Sequence, residues 1–225
     1  MYDAIIVGAG PAGSSAAFHC NKLGLKTLLL DKSSFPRDKV CGDALSGKSV
    51  KLLDEMGLLD GLNKLDGAII NRIIFGNPNH SECELHLNNS LNKRHISHGY
   101  VIPRKSFDHY LFSAASKGSD VKSDFHVTDL IFNNEKVVGV EGKFSNGEIK
   151  KFYGNVILGA DGPYSIVARK TGSYNADNNF TAVGIRCYYE NIDELTDQIE
   201  LHYVNETIPG YFWIFPAGSG TANIG

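Results

Sequence analysis

A chain of 225 residues, 42% hydrophobic and 21% charged, is long enough to bury a sizeable core as one large domain or two small ones. Its formal net charge of −3 gives no basis for nucleic-acid binding, and no apolar run approaches the roughly 20 residues of a membrane span. Four cysteines without a C-x-x-C pair, and an N-terminus without the basic flank of a signal peptide, are typical of a reduced cytoplasmic protein. We therefore expect a cytoplasmic location and at most peripheral contact with a membrane.

The first pattern along the chain is a βαβ unit. An apolar strand at residues 4–7 runs into G-A-G-P-A-G at residues 8–13, and a helix continues to about residue 23. A second apolar strand covers residues 26–30. The glycine motif thus lies between a strand and a helix, which is the context that a dinucleotide-binding turn requires.

Each residue of this turn has a predicted role. Gly8 permits the tight turn, Gly10 lets the backbone approach a pyrophosphate, and Gly13 lets the helix pack closely on the strand. The pyrophosphate would bind the free N–H groups at the helix N-terminus, where Pro11 and Ala12 lie. The alternative is a turn of a parallel sheet that binds no ligand.

An acid ends the second strand. Asp31 follows Gly13 at close to the spacing of about 20 residues expected for a carboxylate that binds ribose hydroxyls. Because a carboxylate there disfavours a 2′-phosphate, the unit suits the adenosine half of FAD or NAD better than that of NADP.

The remaining elements are predicted from hydrophobic periodicity and turn residues. They are a loop at 32–43, a helix at 46–56, strands at 68–75 and 82–87, a loop at 88–98, an extended segment at 100–103, a helix at 104–117, a meander of strands at 124–132, 137–144 and 148–153, a buried apolar strand at 155–159, a helix at 165–171, and β-structure from 181.

This order predicts an α/β fold in which one domain interrupts another. We expect a Rossmann-like domain of residues 1–65 and 100–172, and a β-sheet domain of residues 66–99 and 173–225 that binds the substrate. A plain Rossmann dehydrogenase is the alternative, but it explains neither the meander nor a second glycine–acid turn.

That second turn is G-A-D-G at residues 159–162, between an apolar strand and a helix. Asp161, at the carboxyl end of a parallel strand, would point into the ligand crevice, although it could instead only cap the helix. With the opening unit, the turn resembles the flavoprotein superfamily of p-hydroxybenzoate hydroxylase. The resemblance implies FAD, with Asp161 and Gly162 beside it. It also implies an arginine near the flavin at Arg104, which begins R-K-S-F-D; a surface helix start is the alternative there.

Three further segments resemble the geranylgeranyl reductase family. P-R-D-K-V-C-G at residues 36–42 looks like its P-R-x-K-x-C-G stretch, and Y-F-W-I-F-P at 211–216 is similar to its Y-x-W-x-F-P substrate motif. A-N-I-G at 222–225 resembles the strand that follows in that family. Asp43 stands where many members carry a second glycine. The resemblance covers residues 4–225.

This resemblance implies an FAD-dependent oxidoreductase. Hydride would pass from reduced flavin to a C=C bond of a prenyl (geranylgeranyl-type) or other apolar chain, with NAD(P)H or ferredoxin as reductant. Two other classes stay open: a flavin-dependent monooxygenase or halogenase, and a non-catalytic flavin- or lipid-binding module.

The loop after Asp31 carries further candidates. The resemblance places Cys41 near the flavin ring, as a catalytic candidate with proton delivery as one role; a packed, inert thiol is the alternative. Gly42 would allow close backbone approach. Lys32 and Arg37 are cofactor-binding candidates, and the charges of Arg37 and Lys39 would favour an anionic reduced flavin or a substrate phosphate. A solvated basic loop is the alternative.

The substrate candidates lie on one predicted strand. Tyr211, Trp213 and Phe215 alternate along the chain, so their side chains share one face of a strand. With Pro216 they would line an apolar pocket for a prenyl chain or another lipid. Ordinary core packing is the alternative.

Other classes of site receive no support. His80, His86, His95 and His98 lack the spacing of metal ligands, so no metal is predicted. There is no G-x-S-x-G elbow.

One expected segment does not occur. The superfamily closes over flavin and pyrophosphate with a later G-D-A segment, whereas the only Gly-Asp pair here is Gly42-Asp43. The sequence ends at Gly225, within a predicted strand. We expect that the remainder of the protein is absent from this sequence, leaving the FAD site incomplete and the edge of the substrate sheet open.

Overall fold

The computed structural model describes residues 1–87, 98–175, 177, 179 and 181–225. The chain forms two compact units. The first consists of Met1–Arg37 and Asp108–Thr181, and the second of Asp38–Phe107 and Ala182–Gly225. Compared with the division expected from the sequence, residues 38–65 and 100–107 belong to the second unit and residues 173–181 to the first. The cofactor-binding and substrate-binding roles of the two domains stay predictions.

The strands of the described residues are, in chain order, β1 (Tyr2–Val7), β2 (Thr27–Leu30), β3 (Ala44–Leu45), β4 (Ala68–Ile70), β5 (Arg72–Gly76), β6 (Glu82–His86), β7 (Gly99–Val101), β8 (Asp120–Lys122), β9 (Phe125–Asn133), β10 (Lys136–Phe144), β11 (Ile149–Gly159), β12 (Cys187–Tyr189), β13 (Gln198–His202), β14 (Phe212–Pro216) and β15 (Ala222–Ile224). The helices are α1 (Pro11–Lys22), α2 (Gly47–Glu55), α3 (Leu59–Leu62), α4 (Arg104–Ser116) and α5 (Ile166–Lys170).

The first unit is built on a six-stranded sheet in the order β8-β2-β1-β11-β10-β9. β1 is parallel to both β2 and β11, and β2 is parallel to β8, while β10 is antiparallel to both of its neighbours. The sequence explains the parallel centre, because residues 4–7 of β1 and 28–30 of β2 are apolar and buried on both faces of the sheet. The predicted mixed α/β fold is confirmed.

Alternation along the central strands supplies two apolar clusters, one on each face of the sheet. Ile5 and Val7 pack with Leu28 and Leu30, against side chains of the meander β9–β11. Ile6 and Leu29 belong to the other cluster, with the small residues of α1 and the end of α4. The helix therefore lies directly against the strand that leads into the glycine turn.

The meander differs from its prediction in its last strand. The sequence predicts separate strands at 148–153 and 155–159, but β11 is one continuous strand. Its first half pairs with β10 and its second half, from Gly154, pairs with β1. Gly154 lies at this change of partner, and a Cβ on it would be in tight contact with the Ile5 side chain, at 3.0 Å. The end of β11 is also less buried than predicted, since Val156 is 51% exposed.

The second unit contains a six-stranded sheet, β12-β15-β14-β13-β5-β6, and a small antiparallel sheet, β3-β7-β4. The predicted strand at 68–75 is wrong as a single element, because β4 and β5 belong to different sheets. The chain turns between them at Asn71, whose amide N–H donates to the Asp197 carbonyl and whose side chain donates to the Asp197 carboxylate. These contacts come from a residue far along the chain.

Two further predictions concern the loop at 88–98 and the absence of a membrane span. The loop predicted at 88–98 falls almost entirely outside the described residues, as does His95. Within the residues that the structure covers, every helix is too short or too polar to cross a bilayer.

The close packing of α1 on β1 can be tested by substitution. A Cβ on Gly13 would overlap the carbonyl oxygen of Gly8, whereas a Cβ on Gly10 would meet only the Arg37 Nη2 atom at an ordinary 3.5 Å. We expect Gly13→Ala to lower the free energy of unfolding by about 1–3 kcal/mol or more, as overpacking does. Gly10 has a φ of −68°, so Gly10→Ala should change it by less than about 0.5 kcal/mol.

Urea unfolding of both variants without FAD measures the difference. Equal stabilities for the two variants would contradict the assigned packing.

Candidate functional site

Three strand ends meet at one edge of the first unit. β1 lies between β2 and β11, and all three run in the same direction. The Gly8 amide donates to the Leu30 carbonyl, and the Ala160 amide donates to the Val7 carbonyl, both at 2.7 Å. In an open α/β sheet, ligands bind in the crevice beyond such carboxyl ends. The two glycine turns and Asp31 therefore lie at the edge where a dinucleotide would be expected.

The first turn is compact at two of its glycines and open at the third. Gly8 has a φ of +95°, which favours glycine, and a Cβ on it would lie 2.8 Å from the Asp161 Cα atom. Gly13 is in contact with the Gly8 carbonyl, as described above. The space into which a Cβ on Gly10 would project is open up to the Arg37 guanidinium. The tight turn at Gly8 and the close approach at Gly13 agree with the geometry expected for them, while the approach of a pyrophosphate to Gly10 stays a prediction.

The open glycine also begins α1. Gly10 is the N-cap and has no side chain to bond the first-turn amides, and Pro11 occupies the first helical position. The first N–H groups of a helix have no intrahelical partner, and the helix dipole adds partial positive charge there. An anion such as a pyrophosphate is therefore favoured beside Gly10 and Ala12.

Asp31, which directly follows β2, is hydrogen-bonded to this turn. Its side chain is buried, its Oδ2 accepts the Ala9 amide at 2.7 Å, and its Oδ1 accepts the Ser33 amide at 2.8 Å. Each carboxylate oxygen has a second lone pair, so ribose binding is compatible with these contacts. Lys32, the next residue, is exposed.

Arg37 is held next to Gly10 by an acid that sequence reasoning gave no role. Its Nη1 lies 2.7 Å from Oδ2 of Asp108, which is fully buried in α4. The guanidinium also stacks 4.9 Å from the centroid of Phe35, whose ring is itself stacked on Phe112 at 4.2 Å. Asp108 was visible as the last residue of R-K-S-F-D, but nothing in the sequence links it to Arg37.

Asp161 forms the contacts of a helix cap. Its Oδ1 accepts the Ser165 hydroxyl at 2.5 Å, and its Oδ2 accepts the Ile166 amide at 2.6 Å. This is the capping alternative considered for the sequence, and it occupies both oxygens. Gly162 has a φ of +84°, which explains a glycine after the acid. Contact of Asp161 and Gly162 with a cofactor stays a prediction.

In the second unit, the predicted cofactor loop meets the predicted substrate strand. A Cβ on Gly42 would lie 2.9 Å from Phe215 Cε2 and 3.6 Å from Trp213 Nε1, so this glycine packs directly on the aromatic face. The ring centroids of Tyr211 and Trp213 are 6.1 Å apart, and those of Trp213 and Phe215 are 6.3 Å apart. The three rings therefore form the row that their spacing predicts.

Burial increases along this row. Tyr211 precedes β14 and is 47% exposed, Trp213 is half-buried, and Phe215 and Pro216 are buried. Phe215 belongs to the apolar cluster of this unit, so its contribution is partly core packing. Tyr211 and Trp213 are the members with surface left for a ligand.

A polar network lies behind the aromatic row, and sequence reasoning missed it. Asp43 is 1% exposed, and its Oδ2 accepts the Tyr188 hydroxyl at 2.5 Å and the Asn223 side-chain amide at 2.7 Å. Asn223 also donates to the Cys41 carbonyl at 2.8 Å and accepts the Trp213 indole N–H at 3.0 Å. The only sequence indications were an acid in place of a glycine and a polar residue within A-N-I-G.

The burial of this network shifts the pKa values of Asp43 and Tyr188. Desolvation raises the pKa of Asp43, although hydrogen bonds from Tyr188 and Asn223, the charge of Arg186 and the Arg104 amide each act to lower it. Burial, with the neighbouring carboxylate, raises the pKa of the Tyr188 hydroxyl far above its usual range. Arg186 lies over the Tyr188 ring and pairs with Asp38 at 2.6 Å.

Two predicted site residues, Cys41 and Arg104, contact this network through their backbones. Cys41 is half-buried and contributes its backbone carbonyl to the network. Arg104 begins α4 and is half-buried, with its amide next to Asp43. In the part of the chain that the structure describes, no three His, Cys, Asp or Glu side chains converge as metal ligands would.

Comparison with known proteins identifies the class to which this geometry belongs. The profile described as FAD binding domain matches residues 1–221, so the chain belongs to that family of FAD-binding domains. The glycine turn, the uncapped start of α1 and Arg37 fit the pyrophosphate of FAD, and the predicted cofactor is confirmed.

Among curated proteins, digeranylgeranylglycerophospholipid reductases are similar to this chain. Reductase 2 of Methanothermobacter thermautotrophicus is 30% identical over 239 residues, covering 100% of this chain and 56% of the relative. The reductase of Methanococcus aeolicus is 31% identical over 232 residues, covering 100% and 54%. The predicted resemblance to geranylgeranyl reductases is confirmed. The chain spans about half the length of these relatives.

Solved structures share the fold. A geranylgeranyl bacteriochlorophyll reductase-like protein from Thermoplasma acidophilum has a TM-score of 0.77 and 28% identity, covering 99% of this chain and 55% of that one. A myxobacterial chondrochloren halogenase has a TM-score of 0.83 and 23% identity, covering 99% and 52%. At that identity, the halogenase comparison shows the fold alone.

The raised pKa of Asp43 predicts a pH-dependent cost of its charge. Asp43→Asn removes the titrating group and keeps a side-chain oxygen that can accept the same hydrogen bonds. A carboxyl whose pKa is raised on folding favours the folded state most at low pH, and this contribution is lost as the pH rises through the raised value. We therefore expect the wild type to lose stability relative to Asp43→Asn as the pH rises from about 4, near the ordinary pKa of an aspartate, through the raised pKa of Asp43.

Urea unfolding of both proteins at a series of pH values from about 4 upward measures the difference in stability. A difference that stays constant, or that changes in favour of the wild type, would show that burial does not dominate at Asp43.

Proposed function

We propose that this chain takes part in the FAD-dependent reduction of C=C bonds in a prenyl, geranylgeranyl-type or other apolar chain. The observation that carries the proposal is the packing of Gly42 against the aromatic row of Trp213 and Phe215. It brings the loop expected near the flavin next to the strand expected to bind the substrate. Reduced FAD supplies the hydride in this chemistry, while the protein binds, orients and shields the reactants.

In this proposal the first unit binds the adenosine and pyrophosphate parts of FAD. Backbone N–H groups at the start of α1 and the charge of Arg37 would hold the phosphates, and Asp31 would bind the ribose. The full set of cofactor-binding candidates is Gly8, Gly10, Pro11, Ala12, Gly13, Asp31, Lys32, Arg37, Cys41, Gly42, Arg104, Asp161 and Gly162. Of these, Cys41, Gly42 and Arg104 belong to the second unit, and the family resemblance is what associates them with the flavin ring.

The second unit would bind the substrate. Tyr211 and Trp213 offer ring surface to an apolar chain, while Phe215 and Pro216 anchor their strand in the core. The similar curated proteins are named as reductases of a digeranylgeranyl phospholipid, which supports a prenyl substrate. Cys41 is the catalytic candidate, for proton delivery to the carbon next to the one that accepts hydride.

The remaining parts of the proposal concern the surroundings of the protein. A reductant such as NAD(P)H or ferredoxin would supply the electrons. A lipid substrate fits a cytoplasmic protein with at most peripheral membrane contact.

Cofactor binding can be separated from stability with Gly10→Ala. The added methyl group would occupy the side from which a pyrophosphate approaches the turn, so we expect a rise in the Kd of FAD of about tenfold or more, or about 1.4 kcal/mol. Leu23→Ala, at the exposed opposite end of α1, is the matched control and should bind FAD like the wild type. Flavin fluorescence titration measures both.

If Gly10→Ala and Leu23→Ala both bind FAD with wild-type affinity, the pyrophosphate does not lie on this turn.

The reaction class is tested with the FAD-loaded protein under anaerobic conditions. The flavin is reduced, a geranylgeranyl lipid is added, and the visible absorption of oxidised flavin is followed. We expect reoxidation without oxygen, together with a product heavier by two hydrogens in the mass spectrum. The fully saturated lipid, which has no hydride acceptor, is the control and should leave the flavin reduced.

Reoxidation that requires oxygen and yields an oxygenated product would instead favour the monooxygenase class.

A further inference from the structure

We propose that Asp43 is a positioning residue, which acts through Asn223 to fix the Cys41 carbonyl and the Trp213 indole in the wall of the substrate-binding site. That this site binds the substrate rests on the proposed function. The positioning itself depends only on contacts within the second unit.

Asn223 joins the members of this network. It is fully buried in β15, and its side-chain nitrogen donates to Asp43 Oδ2 and to the Cys41 carbonyl, while its oxygen accepts the Trp213 N–H. Both donors and an acceptor of the amide are therefore in use. Cys41 and Trp213 are far apart in sequence, and this one side chain bonds both of them.

Asp43 sets the orientation of that amide. If the Asn223 side chain were flipped, its oxygen would face the Asp43 carboxylate and the Cys41 carbonyl, and its nitrogen would face the Trp213 N–H. Acceptors would then oppose acceptors and a donor would oppose a donor, at buried positions where unmade hydrogen bonds are costly. The Asp43 Oδ2 atom excludes the flipped state, because it also accepts the Tyr188 hydroxyl and so presents only a lone pair to Asn223.

The backbone conformation at Asp43 suits glycine better than aspartate, so the aspartate side chain needs an explanation. Its φ is +65°, in the left-handed region that favours glycine, where side chains with a Cβ are uncommon. Its Oδ1 is buried and makes no hydrogen bond of good geometry within the described residues. The position therefore carries both backbone and desolvation costs, which a glycine would avoid. An acid at this place is explained if its Oδ2 is needed to orient Asn223.

The surroundings of Asp43 support the same role. The Tyr188 hydroxyl donates to the same Oδ2, and Arg186 packs on the Tyr188 ring while it pairs with Asp38. The Asp43 carbonyl accepts the Ile102 amide, which anchors the backbone of the loop. The carboxylate is thus held from several sides, so its position can determine that of Asn223.

The chain provides its own reporter, because Trp213 is its only tryptophan. Fluorescence of this indole, and its exposure to the neutral quencher acrylamide, can be measured in the 225-residue protein without flavin or lipid. Asp43→Gly suits the backbone and removes the carboxylate. We expect the population of opened, quencher-accessible indole to rise about fivefold, as for the loss of one buried hydrogen bond, with a red-shifted emission.

Asp43→Asn is the conservative variant and should restore the wild-type fluorescence, because its side-chain oxygen can accept the Asn223 and Tyr188 hydrogen bonds. Asp197→Asn is the matched control. Asp197 is also hydrogen-bonded by an asparagine in the same unit, Asn71, but it has no contact with the Trp213 network, so its fluorescence should equal that of the wild type. Far-ultraviolet circular dichroism establishes that each variant is folded.

A folded Asp43→Gly variant with wild-type quenching and emission would overturn the proposal, as would equal changes in Asp43→Gly and Asp197→Asn. A second measurement holds even if Asp43→Gly does not fold: the single indole N–H resonance of the wild type should exchange with solvent slowly. Exchange at the rate of free tryptophan would overturn the proposal. Since no step requires electrons or lipid, a failure of the reductase assay leaves this result unaffected.

Discussion

The contact of α1 with β1 through Gly8 and Gly13 is the constraint on which the cofactor half of the site depends. Because a Cβ on Gly13 would overlap the Gly8 carbonyl, the helix can begin directly beyond the strand only with glycine at both places. That proximity points the free amides of the first helical turn into the crevice beyond β1. Asp31 then fixes the intervening Ala9 amide, and Arg37, held by Asp108, adds a positive charge beside Gly10.

A different kind of constraint organises the second unit. There the aromatic row of β14 contacts a loop that carries its own glycine, Gly42, and a buried polar network lies behind both. Asn223 connects the loop to the tryptophan, and Asp43 determines which way the amide of Asn223 faces. Apolar rings supply the surface, and a few hydrogen bonds of defined direction set its shape. This division is common in binding sites for apolar molecules.

Local patterns predicted much of this. The glycine spacing, the strand before it and the acid after the second strand were sufficient to place the first turn, and alternation placed Tyr211, Trp213 and Phe215 in one row. Pairings between distant segments could not be predicted. Arg37 with Asp108, Asp43 with Asn223, and Asn71 with Asp197 each join residues more than 70 positions apart. Nothing in a single sequence specifies such partners, and the split between β4 and β5 was missed for the same reason.

The central claim is that the turn at residues 8–13 holds the adenosine diphosphate part of FAD. Backbone amide resonances of Gly10, Ala12 and Gly13, followed by NMR in the labelled 225-residue protein, test it most directly. We predict that FAD shifts these resonances, that ADP reproduces the shifts, and that FMN, which lacks the adenosine half, does not. Shifts produced by FMN but not by ADP would contradict the account.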